Sequence, residues 1–225
     1  MFERPHHQAI AAVLRAVDAD LIAEANCYFG GGTAITLLLG EYRQSWDIDF
    51  LCADLAGYRL LRNRIVDDIA PFVRPPIEQV GSLRKDQYGI RTRVRFGAAV
   101  IKLEIIFEAR IPLQGGWEPA LGVATLDRVS LYASKLLANA DRGLDAGALS
   151  RDLIDLAMMV GTWGPIPPEA WERADHAYGD HVKKAYHAVL RKLDDPAYFA
   201  HCCDQLSIAP AHREGLLDCL AAEAP

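Results

Sequence analysis

Asp47 and Asp49, separated by one isoleucine in Trp46-Asp-Ile-Asp-Phe50, are the residues of this 225-residue chain best suited by type and spacing to do chemistry. Trp46, Ile48 and Phe50 alternate with them, so the segment reads as a strand with both carboxylates on one face, about 6–7 Å apart. Left alone, such a pair repels by about 2–3 kcal/mol at an effective dielectric near 20. A divalent cation removes that repulsion, and Mg2+ binds through carboxylates of this kind together with phosphate oxygens. Upstream, Cys27–Phe29 runs into Gly30-Gly31-Gly32-Thr33, a glycine turn that opens a short helix. The free N–H groups and dipole of a helix start hold a phosphate readily. A phosphate cradle beside a metal pair equips a site for phosphoryl or nucleotidyl transfer.

The elements that must position these residues follow from hydrophobic period and punctuation. Residues 8–25 carry a helical stripe at Ile10, Val13, Leu14, Val17 and Leu21. Thr33–Leu39 fits a buried helix ended by Gly40, and Leu55–Ile69 a helix stopped by Pro71. Ile77–Leu83 is a weaker strand signal. Tyr88–Phe96 and Val100–Phe107 form a hairpin about Gly97-Ala-Ala; its first strand alternates Ile90, Val94 and Phe96 against Arg91, Arg93 and Arg95. Ile111–Thr125, with two prolines and three glycines, reads as a turn-rich connection. Beyond it the periodicity is helical throughout: Leu126–Arg142, Leu149–Val160, Pro168–Tyr178, His181–Leu193, Pro196–Leu206 and His212–Ala222. The expectation is an α+β protein, with a mixed sheet flanked by helices in residues 1–112 and an all-α domain in residues 120–225.

Gly31-Gly-Thr-Ala34 followed by Arg43-x-Ser45-x-Asp47-Ile-Asp49-Phe50 resembles the first motif of the nucleotidyltransferase superfamily, in the form found in AbiEii/AbiGii toxin-like proteins. Lys135-Leu-Leu-Ala138, Arg142 and Arg151-Asp-Leu-Ile-Asp-Leu156 are similar to that branch's downstream Lys/Arg/Asp signature, so the likeness spans roughly residues 25–160. It implies a nucleotidyltransferase-type sheet and Mg2+-dependent transfer of an NMP from an NTP to a hydroxyl. It implies Asp47, Asp49 and an acid on a neighbouring strand, here Glu104, as metal ligands. Gly31, Gly32, Thr33, Arg43, Ser45, Lys135 and Arg142 would bind the nucleotide. Lys135 would also neutralise developing charge, and Asp152 would act on the substrate hydroxyl or support Lys135. The setting it implies is the toxin of a toxin–antitoxin or antiphage pair, with a cognate antitoxin as partner and tRNA or a protein as acceptor.

Each residue also has a plainer reading. Glu104 can pair with Lys102 or face solvent at the sheet edge, although an acid in an apolar strand is costly unless paired or metal-bound. Arg43 either holds the loop before the strand or reaches the nucleotide. Lys135 and Arg142 belong to the polar side of an amphipathic helix. Ser150 can cap the next helix, with Asp152 favouring its dipole and Arg151 pairing with Asp155. Arg91, Arg93 and Arg95 suit either a solvated strand face or the phosphates of an RNA acceptor.

Bulk properties narrow the class. A net charge of −6 argues against a protein wrapped bodily around nucleic acid, yet Arg84, Lys85, Arg91, Arg93 and Arg95 crowd together with Asp86 alone against them. The longest apolar runs fall far below the ~20 residues of a membrane span, so no membrane partner is expected. Five cysteines without C-x-x-C spacing and an N-terminus without an apolar leader fit a reducing, cytoplasmic setting. Two competing readings stay open: a small-molecule nucleotidyltransferase of the antibiotic-modifying kind, and a catalytically silent nucleotide-binding module.

Overall fold

The structure, a computed structural model, describes residues 2–221 and residue 223, which fall into two compact units. The first comprises residues up to Leu38 and Trp46–Asp127; the second comprises Leu39–Ser45 and the residues from Arg128 on.

In the first unit, helices α1 (Pro5–Arg15) and α2 (Ala19–Glu24) precede strand β1 (Cys27–Gly30), helix α3 (Gly31–Leu38), strand β2 (Ile48–Cys52) and helix α4 (Leu55–Arg64). Strands β3 (Glu78–Lys85), β4 (Gly89–Phe96), β5 (Ala99–Phe107), β6 (Gly115–Glu118) and β7 (Val123–Leu126) follow. All seven strands form one mixed sheet in the order β3-β4-β5-β2-β1-β7-β6. β2 runs antiparallel to β1 and parallel to β5, which sets the strand bearing Asp49 in the middle of the sheet. One face is apolar: Ile48, Phe50, Leu103, Ile105, Ile90 and Val94 are fully buried. The alternation anticipated for β2, β4 and β5 is therefore what buries this face.

Two expectations for this unit are corrected. The segment read as a turn-rich connection contains β6 and β7, because its glycines serve close packing as well as turning. A Cβ on Gly115 would lie 2.4 Å from the Thr125 carbonyl oxygen and 2.6 Å from the Tyr28 ring. Helix α4 ends at Arg64 instead of continuing to Ile69, because other groups take over the backbone there. The Lys85 ammonium accepts nothing and donates to the carbonyls of Ile65 and Val66, each at 2.7 Å, while the Asp68 carboxylate accepts from Ala70 N–H.

The second unit is helical: α5 (Arg128–Arg142), α6 (Arg151–Trp163), α7 (Pro168–Tyr178), α8 (His181–Leu193), α9 (Pro196–Gln205) and α10 (Asp218–Ala221). Its core is built from stripes such as Leu131, Leu136 and Leu137 on α5, Leu153, Leu156 and Met159 on α6, and Val182, Tyr186 and Val189 on α8. Cys202 and Cys203 are free thiols packed in this core. The helix expected over 212–222 shrinks to the short α10, since Gly215 at φ +66 breaks the run; Ala222 lies outside the described residues. Ser150 does not cap α6 with its side chain. Its backbone is left-handed, at φ 48, and its hydroxyl instead bonds the Gly143 carbonyl and the Tyr198 hydroxyl. No helix among the described residues is long and apolar enough to cross a membrane.

Candidate functional site

β1 ends at Gly30, opposite Asp49 in the antiparallel register, and α3 begins at the next residue. The chain can turn this sharply because Gly31 takes φ +68, a left-handed conformation that costs other residues energy. Glycine is needed there for space as well. A Cβ on Gly31 would lie 2.6 Å from Asp49 Oδ2, so the carboxylate sits directly against the start of the helix. Thr33, in the first turn of α3, donates its hydroxyl to the Asp47 carbonyl at 2.5 Å and fixes the chain just ahead of β2. Gly31, Gly32, Thr33, Asp47 and Asp49 are thus brought together within the first unit, the two carboxylates half-buried.

The register extends this cluster outward across the sheet. Asp49 is level with Glu104 on β5, Glu104 with Arg91 on β4, and Arg91 with Arg84 on β3. One position earlier in the β2–β5 pairing, Ile48 is level with Leu103, which puts Asp47 beside Lys102, itself level with Arg93. Partners across strands share a face, so acids at the sheet centre give way to bases at its edge along two adjoining rows.

Glu104 is 14% exposed and both of its oxygens are engaged: Oε1 accepts from Arg91 Nε at 3.0 Å, and Oε2 from Lys102 Nζ. Arg91 also reaches Asp86, at 2.9 Å. Burial disfavours the Lys102 ammonium, but Glu104, Asp47 and Asp49 more than offset it and hold the amine above its ordinary pKa. Among the described residues no group of three or more His, Cys, Asp or Glu side chains is arranged to hold a metal ion.

Arg43, Lys135, Arg142 and Asp152 meet in the second unit, in a buried network centred on Asp155. The Arg43 guanidinium grips Asp155 with two bonds, Nε to Oδ1 at 2.6 Å and Nη2 to Oδ2 at 2.8 Å. The Tyr42 hydroxyl donates to the same carboxylate at 2.5 Å. Lys135, only 4% exposed, bridges Asp152 Oδ1 at 2.8 Å and Asp155 Oδ2 at 2.6 Å. Arg142 closes the network on Asp152 at 2.7 Å. Arg43 thus ties the Leu39–Ser45 segment to α6. Burial by itself would raise both carboxyl groups. The charges of Lys135 and Arg142 at Asp152, and of Arg43 and Lys135 at Asp155, reverse this and hold both below the ordinary range, Asp152 well below it.

Asp155 and Tyr42 were absent from the set of residues that sequence reasoning selected. The available signal was the second aspartate of Arg151-Asp-Leu-Ile-Asp155, for which pairing with Arg151 along the helix offers a local explanation. Ser45 is buried in the same unit, immediately before the chain returns to the sheet at Trp46.

A family model described as the nucleotidyl transferase AbiEii toxin of type IV toxin–antitoxin systems matches residues 12–216. Among curated proteins none matches the chain. The fold is similar to that of a candidate nucleotidyltransferase from H. pylori, with TM-score 0.57 and 16% identity over 97% of this chain and 91% of that one. JHP933 from Helicobacter pylori aligns with TM-score 0.54 and 16% identity over 100% and 92%. An antigenic nucleotidyltransferase-like protein from Paracoccidioides brasiliensis aligns with TM-score 0.50 and 15% identity over 87% and 92%. At such identities the likeness is one of fold.

Proposed function

Because the chain belongs to the AbiEii nucleotidyl transferase toxin family of type IV toxin–antitoxin systems, we propose that it transfers an NMP from an NTP to a hydroxyl of tRNA and thereby acts as a toxin. Family membership supports a transferase of nucleotidyl groups and implies an antitoxin partner. The observation that carries the reading to particular residues is the approach of the Asp49 carboxylate to Gly31, in the space that any other residue's Cβ would fill.

In this reading Asp47 and Asp49 hold Mg2+. Their hard carboxylate oxygens suit that ion, which is commonly bound through one or two carboxylates with phosphate oxygens completing the shell. When bound, Mg2+ would offset the two negative charges and the charge of the nucleotide phosphates. The N–H groups at the start of α3, around Gly31, Gly32 and Thr33, receive a phosphate, and the bond from Thr33 to the Asp47 carbonyl keeps cradle and carboxylates in step. The acceptor hydroxyl oxygen then bonds to the α-phosphorus, giving up its proton to solvent, as the bond to the α–β bridging oxygen breaks and pyrophosphate leaves.

In the helical unit three cations, Arg43, Lys135 and Arg142, surround two carboxylates. Arg142 is the most exposed of the three, with its side chain 42% accessible, and Asp152, itself held by Lys135, sets its position. A polyanionic acceptor is favoured by the exposed Arg84 and Arg93, which lie in the rows running outward from the carboxylates, and by the exposed Arg95 beside them.

The test is incubation with each α-labelled NTP, Mg2+ and total tRNA. Label in tRNA that is lost with Asp49→Asn supports the proposal. Label that appears only in protein would replace the acceptor, and label in neither would remove the transferase activity proposed for these residues.

A further inference from the structure

We propose that Lys102 takes the place of a second divalent cation beside Asp47 and Asp49, with Glu104 as its tether, so that this site binds a single divalent ion. The inference rests on the metal-binding role proposed above for Asp47 and Asp49.

The strand register carries it. Asp49 is level with Glu104 on the neighbouring strand, and continuing that register by one residue brings Asp47, just ahead of β2, level with Lys102. Adjacent strands lie about 4.8 Å apart, so a positive group at 102 lies within short range of both aspartates.

Glu104 is the acid that position alone would nominate as a further metal ligand, but its chemistry is already committed. Arg91 occupies one oxygen and Lys102 the other. To ligate a metal it would have to loosen an ion pair that this mostly buried carboxylate already makes with Arg91 or Lys102. Its contacts instead fix the Lys102 ammonium, which would otherwise be a mobile charge on a flexible four-carbon stem. Three carboxylates face two cations here, leaving room for one divalent ion; a second ion would meet the ammonium as a like charge. Glu104 is thus a positioning residue that acts through Lys102.

The experiment is an electron paramagnetic resonance titration of the full chain with Mn2+ alone, comparing wild type with Asp49→Asn, Lys102→Met and Glu104→Gln. The expectation is one ion per wild-type chain, weakened about tenfold or more by Asp49→Asn as a lost ligand requires. Lys102→Met should tighten Mn2+ by about threefold or more, because a neighbouring positive charge is gone. Glu104→Gln should weaken it by less than about tenfold, since no ligand is lost. Two ions per wild-type chain, a smaller gain or a loss in Lys102→Met, or a tenfold loss in Glu104→Gln would each overturn the assignment of Lys102. Wild type without bound Mn2+, or binding that Asp49→Asn leaves intact, would instead overturn the metal role of Asp47 and Asp49 beneath it.

Discussion

Arg43 and Asp155, 112 residues apart in sequence, are joined by two charge-assisted hydrogen bonds inside the helical unit, where Asp155 is completely buried. Tyr42 and Lys135 converge on the same carboxylate. Removing one partner of such a network strands the others in a dry interior, which typically costs about 3–5 kcal/mol. Asp155→Ala should therefore lower unfolding free energy by about that amount, measured by urea denaturation. A loss of less than about 1 kcal/mol, the range of an exposed pair, would contradict the network's importance.

The same carboxylates predict how stability depends on pH. Burial pushes Asp152 and Asp155 up, but neighbouring cations pull both below their ordinary value, so folding favours their ionised forms. Their contribution is complete above the unfolded-state value of about 3.9 and is lost as pH falls through the lower folded values. The urea midpoint of wild type should drop steeply below about pH 4, and that of Asp155→Asn should drop less. Parallel curves for the two proteins would count against this account.

Gly31 supplies a test of the cradle. Alanine there must adopt φ +68, at a cost of about 1–2 kcal/mol, and its Cβ must displace Asp49 Oδ2 from 2.6 Å. Gly31→Ala should weaken Mg2+-dependent NTP binding by about tenfold or more while the circular dichroism spectrum is retained. Gly32→Ala is the comparison, since Gly32 lies within α3 and does not need a positive φ.

Arg93 and Arg95 are exposed on β4, in or beside the rows that contain the aspartates. Arg93→Glu/Arg95→Glu should reduce transfer to tRNA by about tenfold or more and flatten the salt dependence of tRNA binding by about two charges. NTP affinity should stay within about twofold of wild type, because the phosphate cradle is untouched. Equal losses in both assays would place these arginines at the nucleotide.

Much of this architecture was legible in the sequence because it rests on local pattern. Pro168 and Gly179 bound α7 where the helical period begins and ends, and β4 and β5 alternate cleanly about Gly97. Strands β6 and β7 were missed because four residues are too few to display a period, and Gly115 resembles turn punctuation although it serves close packing. The glycine turn and the Asp-x-Asp pair could be recognised because their spacing is itself the geometry. Asp155 could not, since Tyr42 and Arg43 lie far away in the chain and Arg151, four residues before it, offered a sufficient local explanation. Helix α4 ended early for a similar reason: the lysine that takes the carbonyls of Ile65 and Val66, just past its end, comes from β3.

The central claim is that Asp47 and Asp49 bind nucleotide through a divalent cation, and calorimetric titration of each NTP with Mg2+ tests it most directly. Wild type should bind at least one NTP only when Mg2+ is present, and Asp47→Ala/Asp49→Ala should lose that binding while remaining folded. Binding that is indifferent to Mg2+, or that survives in the double variant, would contradict it.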